Sequence, residues 1–419
     1  MPLLDVENIM PTRSPFTLSA FAAGALALAA CTNTPQSDAT GAATVSQAGA
    51  PSAADLQTVA RSLAQAGMIK PGDRVLVGGS VRDAALLEDV AVEAMKLGGQ
   101  PLITIGSDRL GRRSFDDVSA TFDTLPPKLG IALANAFDVQ ISVDVGESDS
   151  VMAGVPAARI AARNKAGQAA NQAFFKRGIR TVNLGNGLYP TASLAKRLGV
   201  SQADLASTFW RASAVPPETI RAKGDAVRTA LAAGKQITVT AANGTNVTFA
   251  ITAAKAVVSD GAITADKVKQ ASGASTITWL PAGELIAPIA MGSAEGKVVI
   301  DKINVQGTDV VGLTLTFSKG KLTAMTATSG LEVVKALYDA SGGARDVLSS
   351  IDLGLNPEVK LPTNTGRIVW MGAGALTLGI GDNQSMGGPV VSDFGLALPI
   401  TNATVLVDGK PVMENGALK

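Results

Sequence analysis

The most informative absence from this 419-residue sequence is histidine, which does not occur. Histidine is a very common protein ligand of transition metals and the usual proton carrier near neutral pH. Its absence excludes the Ser-His-Asp and Cys-His mechanisms of nucleophilic catalysis. A metal would have to rely on oxygen donors, and an all-oxygen site favours Mg²⁺, Mn²⁺ or Ca²⁺ over zinc.

Cysteine and net charge are also scarce. Cys31 is the single cysteine, so the chain cannot form an intrachain disulfide. Lysine plus arginine number 36 and aspartate plus glutamate 35, and this balance predicts no nucleic-acid partner. Hydrophobic residues make up 46% of the chain, which at this length is enough for the cores of two domains.

The N-terminal segment has the pattern of a lipoprotein leader. Residues 15–30 form an apolar run that is short for a transmembrane helix, and Arg13 lies just before it. The run ends in Leu-Ala-Ala-Cys, which resembles a bacterial lipobox in which Cys31 would be lipidated. We therefore predict a signal peptide at residues 1–30, followed by a flexible tether at residues 31–54.

This leader predicts a location in the bacterial cell envelope, on the periplasmic side, with the lipid as the only membrane contact. A plain secretory signal and an accidental buried cysteine are the alternatives. The sequence leaves open which membrane holds the anchor and whether translation starts at Met1 or Met10.

Residues 55–215 alternate between helical and strand patterns. This alternation predicts an N-terminal α/β domain, a parallel sheet with helices on both faces. The predicted strands are residues 74–78, 101–105 and 139–144.

Two polar patterns in this domain have ordinary explanations. Asp144, Glu147 and Asp149 follow a predicted strand, where open α/β sheets often bind ligands, but acids in a loop are more often solvated. Ser201 and Asp204 form a variant of the capping box, which predicts the start of a helix.

The Val-Pro-Pro sequence at 215–217 marks the predicted boundary, and residues 216–419 carry mostly strand patterns. Asn243-Gly244, between two alternating runs, is a strong hairpin signal. We predict an α+β, mostly antiparallel C-terminal domain with a twisted, partly closed sheet. Its other predicted elements include strands at 297–303, 311–317 and 324–328 and a helix at 331–340.

Three C-terminal segments share a further pattern. Residues 281–288 read Pro-Ala-Gly-Glu-Leu-Ile-Ala-Pro, and residues 350–356 read Ser-Ile-Asp-Leu-Gly-Leu-Asn. Residues 374–398 combine an alternating run, a glycine-rich loop and Asp-Phe-Gly. Together they resemble the aminopeptidase T family, the thermophilic leucyl-type metallo-aminopeptidases, and the resemblance extends over about residues 56–419.

The resemblance implies five metal-ligand positions. Glu284 and Asp393 keep the family's carboxylates, whereas Ser350 stands in place of a glutamate and Thr377 and Val391 in place of histidines. The loop before Asp393 is about three residues longer than the family's, so the match of Val391 is the least secure. The chain therefore resembles the family's fold with its metal chemistry largely removed.

Two carboxylates cannot complete a dinuclear site, because even one catalytic zinc ordinarily takes about three protein ligands. Asp352 and Asp382 lie nearby in sequence and could substitute for the missing ligands. Asp382, Asn383 and Ser385 also form a possible ligand loop. The cofactor thus stays open between none and a divalent metal, Zn²⁺, Co²⁺, Mn²⁺ or Mg²⁺.

Three functions follow from these observations. The first is an inactive aminopeptidase-like protein that binds a peptide or another small ligand. The second is an active metal-dependent aminopeptidase with a rebuilt carboxylate site, and the third is a structural module of the envelope. Relatives that open dihydroxypyridine rings with iron rely on histidine, so its absence argues against that chemistry. The family is usually dimeric, which makes a homodimer an expectation from resemblance.

Overall fold

The computed structural model describes residues 53–148, 150–270 and 273–419. The predicted signal peptide, Cys31 and nearly all of the predicted tether lie outside these ranges. Within them, no helix is both long enough and apolar enough to cross a membrane.

A five-stranded parallel sheet with the strand order β2-β1-β3-β4-β8 organises the N-terminal part. The strands other than the edge strand β2 consist largely of buried residues, many of them β-branched or leucine, as expected for a sheet covered on both faces. They are β1 (Arg74–Ser80), β2 (Gln100–Gly106), β3 (Val139–Val143), β4 (Arg180–Leu184) and β8 (Ile277–Leu280). The α/β prediction for this part of the chain is confirmed.

Three helices of this part follow a Ser or Thr whose side chain accepts a hydrogen bond from a backbone N–H of the first turn. Ser201 accepts a hydrogen bond from the backbone N–H of Asp204 and so caps a helix as predicted. The helices are α1 (Ala53–Ala66), α2 (Ala84–Lys96), α3 (Asp108–Asp116), α4 (Lys128–Ala136), α5 (Ala157–Arg177), α6 (Ala192–Leu198), α7 (Gln202–Ser213) and α8 (Pro217–Ala233).

Strand β2 forms one edge of the parallel sheet, with β1 as its strand neighbour among the described residues. Leu102, Ile103 and Ile105 on this strand are 44%, 37% and 43% exposed. The strand carries no charged side chain, although charges are a common protection of exposed sheet edges.

The C-terminal part contains two antiparallel sheets rather than the single partly closed sheet predicted. The larger has the order β12-β11-β10-β6-β5-β16-β17-β18, and the smaller has the order β15-β14-β13-β9-β7. The strands are β5 (Ile237–Thr240), β6 (Asn246–Phe249), β7 (Val257–Ser259), β9 (Glu284–Pro288), β10 (Glu295–Val305), β11 (Thr308–Ser318), β12 (Lys321–Thr326), β13 (Leu348–Gly354), β14 (Leu376–Gly381), β15 (Gly395–Ile400), β16 (Thr404–Val407), β17 (Lys410–Glu414) and β18 (Ala417–Leu418).

Two further helices are α9 (Ala265–Gln270) and α10 (Leu331–Ala340). The two sheets enclose the largest hydrophobic core among the described residues, to which α8 and α10 also contribute. The predicted hairpin is confirmed, because Asn243 and Gly244 lie in the turn that joins β5 to β6. The α+β, mostly antiparallel class predicted for this part is confirmed too.

The predicted domain boundary at residues 215–217 falls just before α8. One later strand, β8, nevertheless pairs with β4 and extends the parallel sheet. The two parts of the chain are therefore interleaved in space, and the smaller antiparallel sheet is attached directly to the edge of the parallel one.

Candidate ligand-binding site

The smaller antiparallel sheet has one apolar and one polar face. Because side chains alternate across a strand, residues such as Leu285, Ile351 and Leu353 point into the core. The opposite face carries Glu284, Ser350, Asp352 and Thr377, all of them buried. We call it the polar face; three of the five positions implied by the family resemblance lie on it.

The polar face is turned toward the parallel sheet. Ile286, which shares this face with Glu284, packs with Ile277 and Trp279 of β8 and with Met386. Apolar side chains thus fill part of the space between the two sheets. The buried carboxylates lie beside this contact, at the junction of the two parts of the chain.

Glu284 is held by an amide side chain from the N-terminal part. The Nδ2 of Asn186 donates to Oε1 of Glu284 at 2.9 Å and to the carbonyl of Pro281 at 3.0 Å. Glu284 is fully buried, at 0% exposure. An ionisable group in such a place requires polar partners, and Asn186 supplies one.

A chain of hydrogen bonds continues from Asn186 into the parallel sheet. The backbone N–H of Asn186 donates to Oδ1 of Asn183 at 3.0 Å, and Nδ2 of Asn183 donates to Oδ1 of Asp144 at 2.9 Å. Gly187 N–H donates to Oδ2 of Asp144 at 2.9 Å. A buried polar path therefore joins the carboxyl ends of β3 and β4 to the retained glutamate.

The interpretation of Asp144 as a solvated loop acid is wrong. Asp144 is buried, and this burial raises the pKa of its carboxyl above the ordinary value. The chain approaches it so closely that a Cβ at Gly185, whose φ is +140°, would lie 2.1 Å from the carboxyl group. Glu147 does lie at the surface, where Arg82 donates to it at 3.2 Å, and Asp149 lies outside the described residues.

Asp352 lies close to Glu284 on the polar face. In the strand register Glu284 is opposite Gly354, so Asp352 is its diagonal neighbour across β9 and β13. Diagonal neighbours of this kind are typically about 7–8 Å apart. Ser350 is two residues further along β13, with its Oγ directed to the space left by Gly379.

Thr377 lies directly opposite Asp352 in the register of β13 and β14. It also lines a cavity of about 310 Å³ that lies at one end of these strands. We name this space the Arg367 cavity. Its wall includes the charged residues Asp301, Lys302, Lys360 and Arg367.

Arg367 connects the cavity to the hydrogen-bonded path at the junction. Its Nη2 donates to the carbonyl of Gly187 at 3.2 Å, and its backbone N–H donates to Oγ1 of Thr365. Asp144 lies close enough for the charge of Arg367 to lower the pKa of its carboxyl, against the larger effect of burial. The cavity and the buried carboxylates are thus parts of one region.

Asp393 and the predicted ligand loop form a second polar region. Oδ1 of Asp382 accepts from Nε2 of Gln384 at 2.8 Å. Burial, with a smaller contribution from the negative charge of Asp393, raises the pKa of Asp382 to about 6 against the effect of its hydrogen bonds with Gln384 and Ser392. The carboxylate of Asp393 accepts from the backbone N–H of Gly342 at 3.3 Å.

Helix α5 binds this second region to the N-terminal part. Nε2 of Gln168 donates to the carbonyl of Ser392 at 2.8 Å, and Nδ2 of Asn164 donates to the carbonyl of Asp393 at 3.2 Å. The loop is therefore held from outside by two amide side chains, as Glu284 is held by one.

The remaining residues of the predicted ligand loop have different surroundings. Asn383 is buried; its Nδ2 donates to the carbonyl of Ser349 and its Oδ1 accepts from the N–H of Val390, both at 2.8 Å. Ser385 is buried as well, whereas Val391 is 40% exposed. Asn383 thus fixes the loop to β13, and the side chain of Val391 points away from the polar face.

The two retained carboxylates lie at opposite ends of the sheet. Glu284 is opposite Gly354 of β13, whereas Asp393 precedes Gly395 of β15, which is opposite Gly381 of β14 and lies three strands away from β9. At about 3.4 Å per residue and about 4.8 Å between strands, this register separates Glu284 from Gly395 by roughly 25 Å.

The residues present do not fit the dinuclear metal centre that the family resemblance implies. Glu284 and Asp393 are too far apart to bind one ion, because metal–oxygen distances are only about 2.0–2.6 Å. Over residues 53–148, 150–270 and 273–419, no group of three or more Asp, Glu, Cys or His side chains is arranged to hold a metal. The arrangement of these carboxylates therefore does not support chemistry through two bridged metals.

A model of the thermophilic metalloprotease (M29) family matches residues 52–348, more than half of the sequence. The chain belongs to the M29 family. The match ends just before Ser350, so among the five ligand positions only Glu284 lies inside it. The match thus covers the segment that contains Glu284, and the segment with the other four positions implied by the resemblance lies beyond the matched residues.

Two solved structures have the same fold. AmpT from Thermus thermophilus, an M29 aminopeptidase, has a TM-score of 0.60 and 17% identity, with 87% of this chain and 99% of that chain covered. A 2,5-dihydroxypyridine dioxygenase from Pseudomonas putida KT2440 has a TM-score of 0.53 and 16% identity, covering 88% and 98%. No protein of curated function matches in sequence. The chain is an aminopeptidase-like protein of the M29 family.

Proposed function

We propose that this chain is an exported, lipid-anchored aminopeptidase-like protein that binds a peptide or another small ligand and lacks dinuclear metallopeptidase activity. One observation carries the proposal: Glu284, which the resemblance assigns to a metal-ligand position, is fully buried and accepts a hydrogen bond from Asn186. Its carboxylate thus contacts the other part of the chain, and Asp393, the other carboxylate of the resemblance, is too far away to share a metal ion with it.

The substitutions at the other positions support the same proposal. Ser350 and Thr377 are buried on the polar face, and Val391 is exposed on the loop. None of these side chains is an ordinary ligand of a catalytic zinc. The Arg367 cavity offers a place for a ligand beside this altered centre.

The deciding experiment measures metal content and peptide cleavage on the same purified protein. We expect less than one equivalent of bound metal and no release of N-terminal residues from short peptides with Zn²⁺, Co²⁺ or Mn²⁺ added. Cleavage that a chelator abolishes would overturn the inactive assignment. A Glu284→Gln variant then serves as the control, because it removes the carboxylate with little change in shape.

One observation favours an active metal-dependent aminopeptidase as a second candidate. Asp352 places a new carboxylate diagonal to Glu284 on the buried polar face, close to the position where Ser350 replaces the family's glutamate. This candidate requires stoichiometric Mg²⁺ or Mn²⁺, and it requires that Asp352→Asn abolish both metal binding and cleavage. A variant that keeps both properties would eliminate it.

The lipid anchor and the homodimer are proposals that rest on sequence alone. The mass of the mature N-terminus tests the anchor, because a diacylated or triacylated Cys31 differs from an unmodified one by several hundred daltons. Sedimentation of the protein in detergent tests the homodimer. An unmodified Cys31 or a monomer at all concentrations would remove the respective proposal.

A further inference from the structure

A short stretch between α3 and α4 exposes several large apolar side chains. They are Val118, Phe122, Leu125 and Leu129, which are 38%, 49%, 46% and 49% exposed. We call residues 118–129 the apolar segment. A single exposed apolar side chain needs no explanation, but a group of them on one surface marks a contact with a protein or a membrane.

The apolar segment is held in place by a buried carboxylate. Asp123 is buried and accepts from Nε of Arg159 and from Nε of Arg163, each at 2.6 Å. Nη2 of Arg159 also donates to the carbonyl of Val118 at 2.9 Å. Buried charges paired in this way are costly to separate. The segment therefore keeps its conformation while its apolar side chains stay exposed, and little ordering is needed when it meets a surface.

The charges around the apolar segment suit an anionic surface. Asp116 and Asp117, just before it, pair with Arg112 and Arg113 of α3. Lys128 is exposed and has no acidic partner among the described residues. Because the nearby carboxylates are compensated, the exposed ammonium can approach anionic lipid headgroups without an opposing negative charge.

The apolar segment and the start of α1 lie at the same end of the parallel sheet. Helix α4 runs from Lys128 back toward the start of β3, so the segment before it lies at the carboxyl end of the strands. Helix α1 runs from Ala53 toward the start of β1, which places Ala53 at the carboxyl end as well. Residues 32–52, between Cys31 and α1, span at most about 75 Å. An acylated Cys31 would therefore hold this end of the sheet near the bilayer.

The extent of the apolar segment favours a lipid surface over a protein partner. A specific protein interface takes about 20–30 residues from each side, more than residues 118–129 supply. Shallow insertion into a membrane depends on the apolar area inserted and on attraction to anionic lipids. A few half-exposed apolar side chains beside a free lysine meet that requirement.

We infer that the apolar segment inserts Phe122 and Leu125 into the surface of the membrane that holds the lipid anchor, and so fixes the orientation of the protein on the bilayer. This inference rests on the lipid-anchored part of the proposed function. It adds a contact made by the protein itself to the lipid, which the leader predicts as the only membrane contact.

The test measures how deep a fluorescent label lies in the bilayer. Thr124→Cys introduces an exposed thiol between Phe122 and Leu125, and Met291→Cys, at a position 59% exposed in the C-terminal part, is the control. The sulfur of an acylated Cys31 is blocked, so the dye attaches only to the introduced cysteine. The full-length protein is reconstituted in vesicles of phosphatidylethanolamine and phosphatidylglycerol, and nitroxide-labelled lipids quench the dye according to its depth.

We expect the label at position 124 to lie about 5–10 Å inside the headgroup boundary and the label at position 291 to stay in water. Both labels in water, or both at one depth, would overturn the inference. Phe122→Ser with Leu125→Ser should lower the inserted fraction of the label at position 124 at least about tenfold. Val391→Ser, at an exposed apolar position outside the segment, should leave that fraction unchanged. Undiminished insertion in the double variant would overturn the assignment to these two side chains.

The outcomes separate this inference from the anchor on which it rests. If the dye labels the wild-type protein, Cys31 is free and the lipid anchor falls. Thr124→Cys with Cys31→Ala, added to preformed vesicles, then tests the apolar segment alone, and insertion there supports it. If Cys31 is acylated and the label at position 124 stays in water, the anchor stands and the inference falls. A label at position 124 that is shielded from water without vesicles would indicate a protein partner and would also overturn the inference.

Discussion

The family resemblance in the sequence assigns Glu284 and Asp393 to two metal-ligand positions, yet the surroundings of these two carboxylates differ in almost every respect. Glu284 lies within a strand, is fully buried and accepts from the neutral amide of Asn186. Asp393 lies on a loop, is partly exposed and has the carboxyl group of Asp382 beside it. The two carboxylates therefore have different roles in this structure. Glu284 joins the two parts of the chain, and Asp393 contributes to the conformation of a loop.

The two regions share one device, an amide side chain from the N-terminal part. Asn186 binds Glu284 at one end of the smaller antiparallel sheet, and Asn164 and Gln168 of α5 bind the loop at the other. Amides both donate and accept without charge, so they can hold a carboxylate or a carbonyl at any ordinary pH. The sheet is thus attached at both ends through uncharged amide side chains.

The largest effect should come from removing the buried carboxylate. Glu284→Ala leaves one N–H of the buried Asn186 amide without its acceptor, although the carbonyl of Pro281 remains for the other. We expect a loss of about 3 kcal/mol in the free energy of unfolding. Glu284→Gln keeps an acceptor and should cost about 1 kcal/mol. Denaturant titration measures both, with the exposed Glu88→Ala as the control.

A double-mutant cycle with Asn186→Ala sharpens this prediction. If the hydrogen bond between Glu284 and Asn186 is the main contribution, the two losses should be far from additive, with a coupling of about 1 kcal/mol or more. Additive losses would mean that Glu284 stabilises the junction through other contacts.

The next largest loss in the free energy of unfolding should come from changing Asn383, which fixes the loop of residues 382–394 to β13. Asn383→Ala removes the donor to Ser349 and the acceptor for Val390, both buried, and we expect a loss of about 2 kcal/mol. Without these two hydrogen bonds the loop should open more often, so the amide protons of residues 382–394 should exchange faster with solvent in Asn383→Ala than in the wild type. Unchanged exchange in residues 382–394 would show that the loop does not depend on this side chain.

The pH dependence of the free energy of unfolding should reveal the buried carboxyl group of Asp382 in the loop. The pKa of Asp382 is raised to about 6 in the folded protein from an ordinary 3.8. The folded state therefore keeps a proton that the unfolded state has lost, and this stabilisation is present below about pH 4 and lost as the pH rises through about 6. We expect about 2 kcal/mol from this group.

Asp382→Asn tests that pH dependence. The variant should lose the decline in unfolding free energy between about pH 4 and 6, which urea titrations at several pH values would measure. Asp266→Asn, an exposed exchange on α9, should keep the wild-type slope. A wild-type slope in Asp382→Asn would assign the titration to another group.

The smallest effect should come from Val391. Its side chain is exposed, so Val391→Ala should change the free energy of unfolding by less than about 0.5 kcal/mol. Thr377→Ala, on the buried polar face, should cost more. Equal effects at the two positions would contradict the difference in burial between the loop and the sheet.

Local signals in the sequence predict most of the elements but not their association. The helix predicted at residues 331–340 has the bounds of α10, and the Asn-Gly turn of β5 and β6 depends on neighbouring residues alone. Strand β8 pairs with β4 across a long stretch of chain. No local pattern of Ile277–Leu280 indicates that it extends the sheet of the other domain.

The residues of the candidate site also fall into two groups, those that a local sequence motif identifies and those that it does not. Glu284 could be found from its segment, because the flanking residues resemble a known motif. Asn186 could not, because Gly-Asn-Gly at residues 185–187 has the pattern of an ordinary turn and its acceptor lies 98 positions away. Arg367 gives no signal either, since its role depends on a cavity formed by segments that are distant in sequence.

The apolar edge strand β2 affects how this protein can be handled. This strand is uncharged and partly exposed at Leu102, Ile103 and Ile105, so a strand of another molecule could pair with it through backbone hydrogen bonds. We therefore expect the protein to aggregate or precipitate when it is concentrated. Aggregation should begin at a lower protein concentration in high salt than in low salt. Titrations of weak ligands, which need concentrated protein, should be planned around that limit.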